Sequence, residues 1–176
     1  MQLFAGKEKL APVPHGLELL RGFVGGSLSI LILLLLGQWS NHLWIMAPFG
    51  ASCVLLYTVA QSPLAQPRNI IFGHFISAFV GLFFLKFFPV NIWSIACSVG
   101  VAIVLMQYLR CVHPPAGANP LVILLTAHTV HYDWSFLIFP VLCGAVALVV
   151  VALWVNNMKV TQKWPLYGLA LWKTTK

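Results

Sequence analysis

Charged side chains are scarce in this chain: Asp, Glu, Lys and Arg make up 7% of its 176 residues, and apolar residues make up 60%. Soluble domains carry about 25% charged residues. This scarcity excludes an ordinary soluble domain and predicts that the whole length forms one polytopic membrane domain. The net charge of +7 therefore indicates basic residues at helix ends rather than a nucleic-acid partner.

Acidic residues are the rarest of the charged types. The three are Glu8, Glu18 and Asp133, and none lies inside an apolar segment. A cation pathway or a carboxylate proton relay would need Asp or Glu within the membrane. Their absence favours an anion or a small neutral solute as cargo over a metal or sodium ion.

The sequence also lacks the signatures of catalysis and of processing. We find no nucleophile–base pair, no glycine-rich phosphate loop and no metal-ligand cluster, so we expect neither an enzyme nor a cofactor or metal site. The first apolar run follows two glutamates and precedes no cleavage site, which argues against a signal peptide. The four cysteines are irregularly spaced, as small buried apolar residues are. They are Cys53, Cys97, Cys111 and Cys143.

Six apolar segments are present, at about residues 20–39, 44–60, 69–88, 92–110, 115–130 and 134–156. A crossing helix needs about 20 residues. The first, third, fourth and sixth segments have that length. The second and fifth are shorter and start with proline and glycine, so we expect them to begin below the membrane surface. Residues 1–19 and 157–176 would form cytoplasmic segments at the two ends.

Basic residues support six crossings with both termini in the cytoplasm. Nine of the ten fall on one side of the membrane in that arrangement, and only Lys86 falls on the other. The outer loops then carry little positive charge. The sequence therefore predicts a multi-pass protein of the cell inner membrane, in contact with the lipid bilayer.

One short sequence motif occurs twice, and its two positions define the predicted fold. Pro48-Phe49-Gly50-Ala51-Ser52 and Pro115-Ala116-Gly117-Ala118-Asn119 both read Pro-x-Gly-Ala followed by a small polar residue, 67 positions apart. Each copy opens the second segment of a set of three, 20–88 and 92–156. Because each set has an odd number of crossings, the two sets lie in opposite orientations. The pattern predicts an all-α inverted repeat of six transmembrane segments.

Paired helix starts suit a small anion. The first turn of a helix leaves backbone N–H groups unpaired and carries about half a positive charge. We expect the two motifs to meet near the membrane midplane and to bind the substrate through their own residues and His113. The substrate-binding candidates are Pro48, Phe49, Gly50, Ala51, Ser52, His113, Pro115, Ala116, Gly117, Ala118 and Asn119. The alternative is that Pro-x-Gly-Ala only starts a helix and permits close packing.

Four basic or titratable residues have both a functional and a structural interpretation. Arg68 and Arg110 attract an anion at the mouth of a segment, or they are ordinary cytoplasmic anchors. His74 lies inside the third segment, where a polar ring needs a partner, so it serves a pathway or a structural hydrogen bond. His113 titrates near neutral pH and holds a proton or donates to an anion, or it is an interfacial residue before Pro114.

Small residues form two stripes that predict tight helix contacts within or between subunits. One stripe is Gly22 and Gly26, and the other is Gly73, Ser77 and Gly81. They permit a homo-oligomer without requiring one. They are also the basis of an alternative function, a non-transporting membrane scaffold or assembly module.

The phrase His113-Pro114-Pro115-Ala116-Gly117-Ala118 resembles the signature of the HPP family of integral membrane proteins. The stretches 47–52 and 62–69 are similar to other recurrent parts of that family, and the likeness covers about residues 17–156. Plastid and cyanobacterial members are associated with nitrite transport. The resemblance therefore implies a transporter or channel for a small monovalent anion, with nitrite as the first substrate. Passage as nitrous acid and proton coupling through a histidine both remain open.

Overall fold

The computed structural model describes residues 11–42, 44–158 and 163–169. Within these residues the protein is all-helical and contains no strand, which confirms the all-α part of the predicted fold class. Six α-helices are present in this part, and each lies within or close to a predicted apolar segment. They are α1 Gly16–Ser40, α2 Ala47–Thr58, α3 Pro67–Phe87, α4 Ile92–Tyr108, α5 Asn119–Thr126 and α6 Cys143–Val155.

Helix starts follow local chemistry. Pro48 lies in the first turn of α2 and Pro67 is the first residue of α3, where a missing N–H costs nothing. Asn91 caps α4, because its side-chain oxygen accepts hydrogen bonds from Trp93 N and Ser94 N, both at 3.0 Å. These signals place each helix start within a few residues of the predicted one, except α1, which begins earlier, and α5 and α6, which begin later.

Three helical segments of the described structure are long and apolar enough to cross a membrane: Gly16–Ser40, Pro67–Phe87 and Trp134–Val155. The last joins α6 to a 3-10 turn and a π-helical turn, Trp134–Leu137 and Ile138–Leu142. The predicted fourth crossing is a 17-residue helix, and α2 has 12 residues. A helix of that second length rises about 18 Å, which is less than the hydrocarbon thickness of about 30 Å.

The helices pack in two groups of three. One group consists of α1, α2 and α6, and the other of α3, α4 and α5, with contacts between all members of each group. The two groups meet through α3 and α6 and through the turn that precedes α5, which packs on α2. Each group thus takes two helices from one predicted three-segment set and one helix from the other.

The small residues of α3 allow a close approach to the second motif. A Cβ atom on Gly73 would lie 2.7 Å from His113 Cβ, and one on Gly81 would lie 2.9 Å from atoms of α5. The tight contact predicted for this stripe is therefore present within the chain. A Cβ atom on Gly22 or Gly26 would meet nothing within 4 Å, so the stripe on α1 makes no comparable contact in the described structure.

Large apolar side chains are exposed around the outside of the bundle. Examples on three different helices are Phe23, Trp93 and Trp154, with 72%, 75% and 61% of their surface exposed. A soluble protein rarely leaves so much apolar surface uncovered. Such a surface suits contact with lipid.

Residues 163–169 fold back onto the loop between α2 and α3. Trp164 is buried and its Nε1 donates to Ala65 O at 3.2 Å. The backbone N–H of Leu166 donates to Gln66 Oε1 at 2.8 Å. This stretch of the predicted cytoplasmic tail is therefore part of the packed structure.

Candidate functional site

The two motif copies adopt different local structures. The first copy begins α2 directly, after an extended Met46 at the N-cap. The second copy forms a 3-10 turn, Pro114–Ala118, and its α-helix begins at Asn119 rather than at Pro115. Prolines at 114, 115 and 120 explain the difference, because each lacks an N–H group and clashes with a preceding carbonyl inside an α-helix.

Both copies nevertheless converge on one imidazole. His74 on α3 is fully buried. Its Nε2 lies 2.8 Å from Ser52 Oγ, and its Nδ1 lies 3.2 Å from Asn119 Nδ2. Ser52 and Asn119 are the small polar residues that close the two Pro-x-Gly-Ala phrases. The equivalent residues of the two copies therefore contact the two nitrogens of the same ring.

A second imidazole extends this cluster towards the loop between α2 and α3. His113 Nε2 lies 2.8 Å from Ser52 Oγ, and its Nδ1 lies 2.9 Å from Leu64 O. The ring centres of His74 and His113 are 5.0 Å apart. Four fully buried polar side chains, Ser52, His74, His113 and Asn119, thus form one continuous cluster, which we call the motif cluster.

The partners determine the hydrogen positions in the motif cluster when both rings are neutral. A carbonyl only accepts, so His113 Nδ1 carries a proton for Leu64 O and its Nε2 is the acceptor. The Asn119 amide donates to His74 O at 3.0 Å, which orients its nitrogen towards His74 Nδ1. His74 therefore carries its proton on Nε2 and donates to Ser52 Oγ, and Ser52 donates to His113 Nε2.

One polar atom of the cluster has no partner. Asn119 Oδ1 is buried and accepts no hydrogen bond from the described residues. An unsatisfied buried acceptor costs about 1–3 kcal/mol. The atom therefore offers a place for a hydrogen-bond donor from a ligand.

Aromatic and small residues wall the motif cluster. The Phe49 ring packs edge-on against His74, with ring centres 5.0 Å apart. Its opposite side rests against Gly144 on α6, where the absence of a Cβ makes room for the ring. On the other side, Ser77 Oγ donates to Ala116 O at 2.5 Å. Side chains therefore fill the space between the two motifs in this conformation.

Pro48 and Ala116 are buried beside the motif cluster, since Pro48 O lies 3.1 Å from Ser52 Oγ and Ala116 O accepts from Ser77. Five other predicted motif residues are less buried. Ala51 is exposed, and Gly50, Pro115, Gly117 and Ala118 are partly buried. A shallow groove runs between α2 and the 3-10 turn, lined by Ala51, Val54, Leu55, Thr58, Pro114, Pro115 and Ala118. A Cβ atom on Gly50 or Gly117 would meet nothing within 4 Å, so both glycines border open space.

The two arginines lie outside the motif cluster. Arg68 Nε and Nη2 donate to Arg110 O at 3.3 Å and Leu109 O at 3.0 Å. Its Nη1 donates to Leu169 O at 2.9 Å. Arg68 therefore caps the carboxyl end of α4, a position where a positive charge is favourable. Arg110 is exposed with a left-handed φ of 54°.

The described acids are also remote from the motif cluster. Glu18 and Asp133 are both exposed. Hydrogen bonds from Ser135 hold the pKa of the Asp133 carboxyl below its usual value, so this group is ionised at the surface. Within residues 11–42, 44–158 and 163–169, no group of three or more His, Cys, Asp or Glu side chains could hold a metal ion.

Sequence reasoning missed several residues that position the motif cluster. Asn69 Nδ2 donates to Val112 O at 2.7 Å, next to His113. Tyr167 OH lies 3.0 Å from Asn69 Oδ1, which ties the tail to the same place. Asn69 lies only five residues before His74 in a strongly apolar segment, and its polarity there was the signal that could have identified it.

Fold and site together define a helical integral membrane protein with a buried, uncharged polar cluster where two copies of one motif meet. Membership of a family follows from comparison with known sequences. The chain belongs to the HPP family, because the profile of the HPP transmembrane region matches residues 11–165.

Two relatives come from Dictyostelium discoideum, and both are described only as transmembrane proteins. One is 34% identical over 174 residues, covering 94% of this chain and 61% of the relative. The other is 33% identical over 171 residues, covering 92% of this chain and 55% of the relative. The chain thus spans less than two thirds of the length of these relatives. No solved structure matches it.

Proposed function

We propose that this protein transports a small monovalent anion, with nitrite as the first candidate, and that the motif cluster is its substrate site. The observation that carries the proposal is the convergence of Ser52 and Asn119 on His74. Equivalent residues of two repeats meeting at a buried polar point are typical of secondary transporters. The proposal contains no catalytic step and no cofactor.

The chemistry of the motif cluster favours an anion over a cation. Its side chains are two imidazoles, a hydroxyl and a carboxamide, and none of its hydrogen bonds within the described residues goes to a carboxylate. Intramembrane cation sites are usually built with Asp or Glu. Hydroxyl, amide and imidazole N–H groups are donors suited to nitrite oxygens.

Reciprocal contacts support the inverted repeat that the proposal needs. Ser77 contacts Ala116, while Gly144 contacts Phe49. Gly144 stands 67 positions after Ser77, and Ala116 stands 67 positions after Phe49. The two contacts therefore join equivalent pairs of positions with the repeats exchanged, although one is a hydrogen bond and the other is close packing. The two packing groups are related by the same exchange, because α1, α2 and α6 of one group correspond to α4, α5 and α3 of the other.

The proposed arrangement has six crossings of the cell inner membrane, with both termini in the cytoplasm. Three variants test it, each with a single cysteine in a protein without the four natural cysteines, at His42, Ser62 or Asn91. Labelling with a membrane-impermeant maleimide reports the side of the membrane on which each cysteine lies. Six crossings place 42 and 91 outside and 62 inside. Crossing by only the three long segments would put 42 and 62 on the same side, which would contradict the inverted repeat.

Nitrite entry into proteoliposomes tests the function directly. We expect protein-dependent uptake above that of empty vesicles, with nitrate, formate and chloride as competitors. Ser52→Ala removes the hydroxyl that links both imidazoles and should lower uptake about tenfold, because losing about 1.4 kcal/mol of binding is a tenfold effect. Ser98→Ala is the matched control, since Ser98 is equally buried but bonds to Ile95 O of its own helix.

One observation favours a second function, that of a non-transporting scaffold or assembly module. The space between the motifs is filled by hydrogen-bonded side chains in this conformation, whereas a passage would hold a polar cavity. The uncovered Gly22 and Gly26 would then mark a partner-binding or homo-oligomer face. Folded protein that carries no small anion in vesicles would support the scaffold and refute transport.

A further inference from the structure

Every hydrogen that the motif cluster can donate is already engaged. With both rings neutral the cluster carries five such hydrogens: one on each imidazole, one on Ser52 and two on Asn119. They are directed at Leu64 O, Ser52 Oγ, His113 Nε2, His74 Nδ1 and His74 O. The unused capacity is on an acceptor, Asn119 Oδ1. A bare anion needs donors, and the neutral cluster has none to spare.

One added proton changes this balance without breaking the cluster. Protonated at Nε2, His113 would donate to Ser52 Oγ instead of accepting from it. The Ser52 hydroxyl has a second acceptor within reach, because Pro48 O lies 3.1 Å from its oxygen. Ser52 can then accept from both imidazoles and donate to Pro48. An anion that enters beside Ser52 and His113 would then meet two donors, His113 Nε2–H and the Ser52 hydroxyl, which can turn towards it from Ser52 Oγ and Pro48 O.

His74 is a poorer place for the proton. Its unprotonated nitrogen, Nδ1, already accepts from the Asn119 amide nitrogen, which is a donor and could not accept from a protonated Nδ1. Turning the amide over would bring Asn119 Oδ1 against His74 O, where the nitrogen now donates at 3.0 Å, and two oxygens would repel. The geometry therefore assigns the proton to His113.

The surroundings limit the cluster to one proton. Around the two imidazoles α2 contributes Phe49 and Ser52, the second motif contributes Asn119, and the loop before α3 contributes the Leu64 carbonyl. The neighbouring thiols, Cys53 and Cys111, form no hydrogen bond with the motif cluster within the described residues. Two cationic rings with centres 5.0 Å apart would repel strongly away from water.

We propose that the motif cluster binds its monovalent anion together with one proton, held between His113 and Ser52, so that the transported unit is neutral. This inference rests on the proposed function and names the charge state of its substrate. The proton comes from the same aqueous phase as the anion and leaves with it. No bond other than N–H and O–H bonds forms or breaks.

Proton uptake upon nitrite binding tests the inference on purified protein in detergent. Titration calorimetry at one pH, in buffers with different heats of ionisation, counts the protons. We expect one proton per nitrite and a tenfold weaker apparent affinity for each unit of rising pH. Binding without proton uptake would overturn the inference and leave the proposed site intact. An absence of any binding would overturn the proposed function as well.

Two substitutions locate the proton. Glutamine can donate and accept but cannot take up a proton at these pH values, so His113→Gln should bind nitrite more weakly and with no proton uptake. His128→Gln is the control, because His128 is exposed at the far end of α5, and it should keep one proton per nitrite. If His113→Gln still takes up one proton while His74→Gln does not, the assignment to His113 is wrong.

Flux through the unmodified protein provides a test that needs no variant. Nitrite uptake into proteoliposomes should respond to a pH gradient and ignore a potassium diffusion potential set with valinomycin. Empty vesicles measure the passage of nitrous acid through lipid alone. Uptake driven by the potential, with no change in internal pH, would show that the anion moves without its proton and would overturn the inference.

Discussion

The two motif copies share a sequence pattern but differ in what surrounds them. His113 precedes the second copy by two residues, and the residue at the same offset before the first copy is Met46. His74 lies on α3, and its counterpart at the 67-residue spacing is Val141, in the π-helical turn before α6. Met46 and Val141 are both buried apolar side chains.

At these positions the two copies of the phrase share burial but not polar chemistry. The small polar residues, Ser52 and Asn119, are present in both copies, but both turn to the one histidine on α3. The region where the motifs meet therefore has a polar half, around His74 and His113, and an apolar half, around Met46 and Val141. The hydrogen bonds of the motif cluster lie in the polar half, which continues to the Leu64 carbonyl.

Replacing the central histidine of the polar half by its apolar counterpart should have the largest effect on stability and on transport. His74→Val leaves Ser52 and Asn119 without their shared partner, at about 1–3 kcal/mol for each unsatisfied group. We expect a large fall in thermal stability and nitrite uptake reduced to that of empty vesicles. His128→Val is the surface control. Uptake that survives in folded His74→Val protein would remove the motif cluster from the pathway.

Filling the outward face of either copy should abolish transport while sparing the fold. Gly50→Leu and Gly117→Leu place a side chain where a Cβ meets nothing within 4 Å among the described residues, next in sequence to Ala51 and Ala118 of the groove between α2 and the 3-10 turn. We expect unchanged melting temperatures and loss of nitrite uptake in vesicles. Normal uptake in both variants would show that the passage does not use this face.

Packed glycines should behave in the opposite way. Gly73→Ala brings a Cβ to 2.7 Å from His113 Cβ and to 3.0 Å from Cys111 O, and such overpacking costs about 1–3 kcal/mol. Gly100→Ala, on the open face of α4, should be neutral or slightly stabilising. Thermal unfolding in detergent compares the two. Equal stability would mean that α3 and the second motif are not in close contact.

The smallest effect is expected at the exposed arginine. Arg110→Gln changes a side chain at the surface and leaves the backbone carbonyl that accepts from Arg68 in place. Nitrite uptake should stay within about twofold of the unmodified protein, since an exposed charge is well screened. A larger loss would restore Arg110 to the pathway that its position beside the second motif suggested.

Much of the fold could be predicted because it depends on composition and periodic spacing. The apolar segments located all six helices, and the Pro-x-Gly-Ala spacing identified the two copies that meet. Ser52, Asn119 and His113 were candidates from their place in or beside the motifs, and His74 from its cost inside an apolar segment. The structure brings these four together.

Other parts could not be predicted because they depend on backbone atoms. The Leu64 carbonyl orients His113, yet a carbonyl carries no sequence signal. Arg68 serves the carboxyl end of α4 through carbonyl contacts that only tertiary structure creates. The 3-10 turn of the second copy follows from Pro114, Pro115 and Pro120 acting together, whereas the shared phrase suggested the same helix start in both copies.

The contact between residues 163–169 and the loop at 63–69 determines when, during synthesis of the chain, the site can be completed. The loop supplies Leu64 O to His113, and Trp164, Leu166 and Tyr167 hold that loop from outside. A growing chain contains α1 to α6 before these residues are added, because synthesis proceeds from the N-terminal end and domains form in that order during translation. The polar half of the region where the motifs meet would therefore acquire its final shape after all six helices have been made.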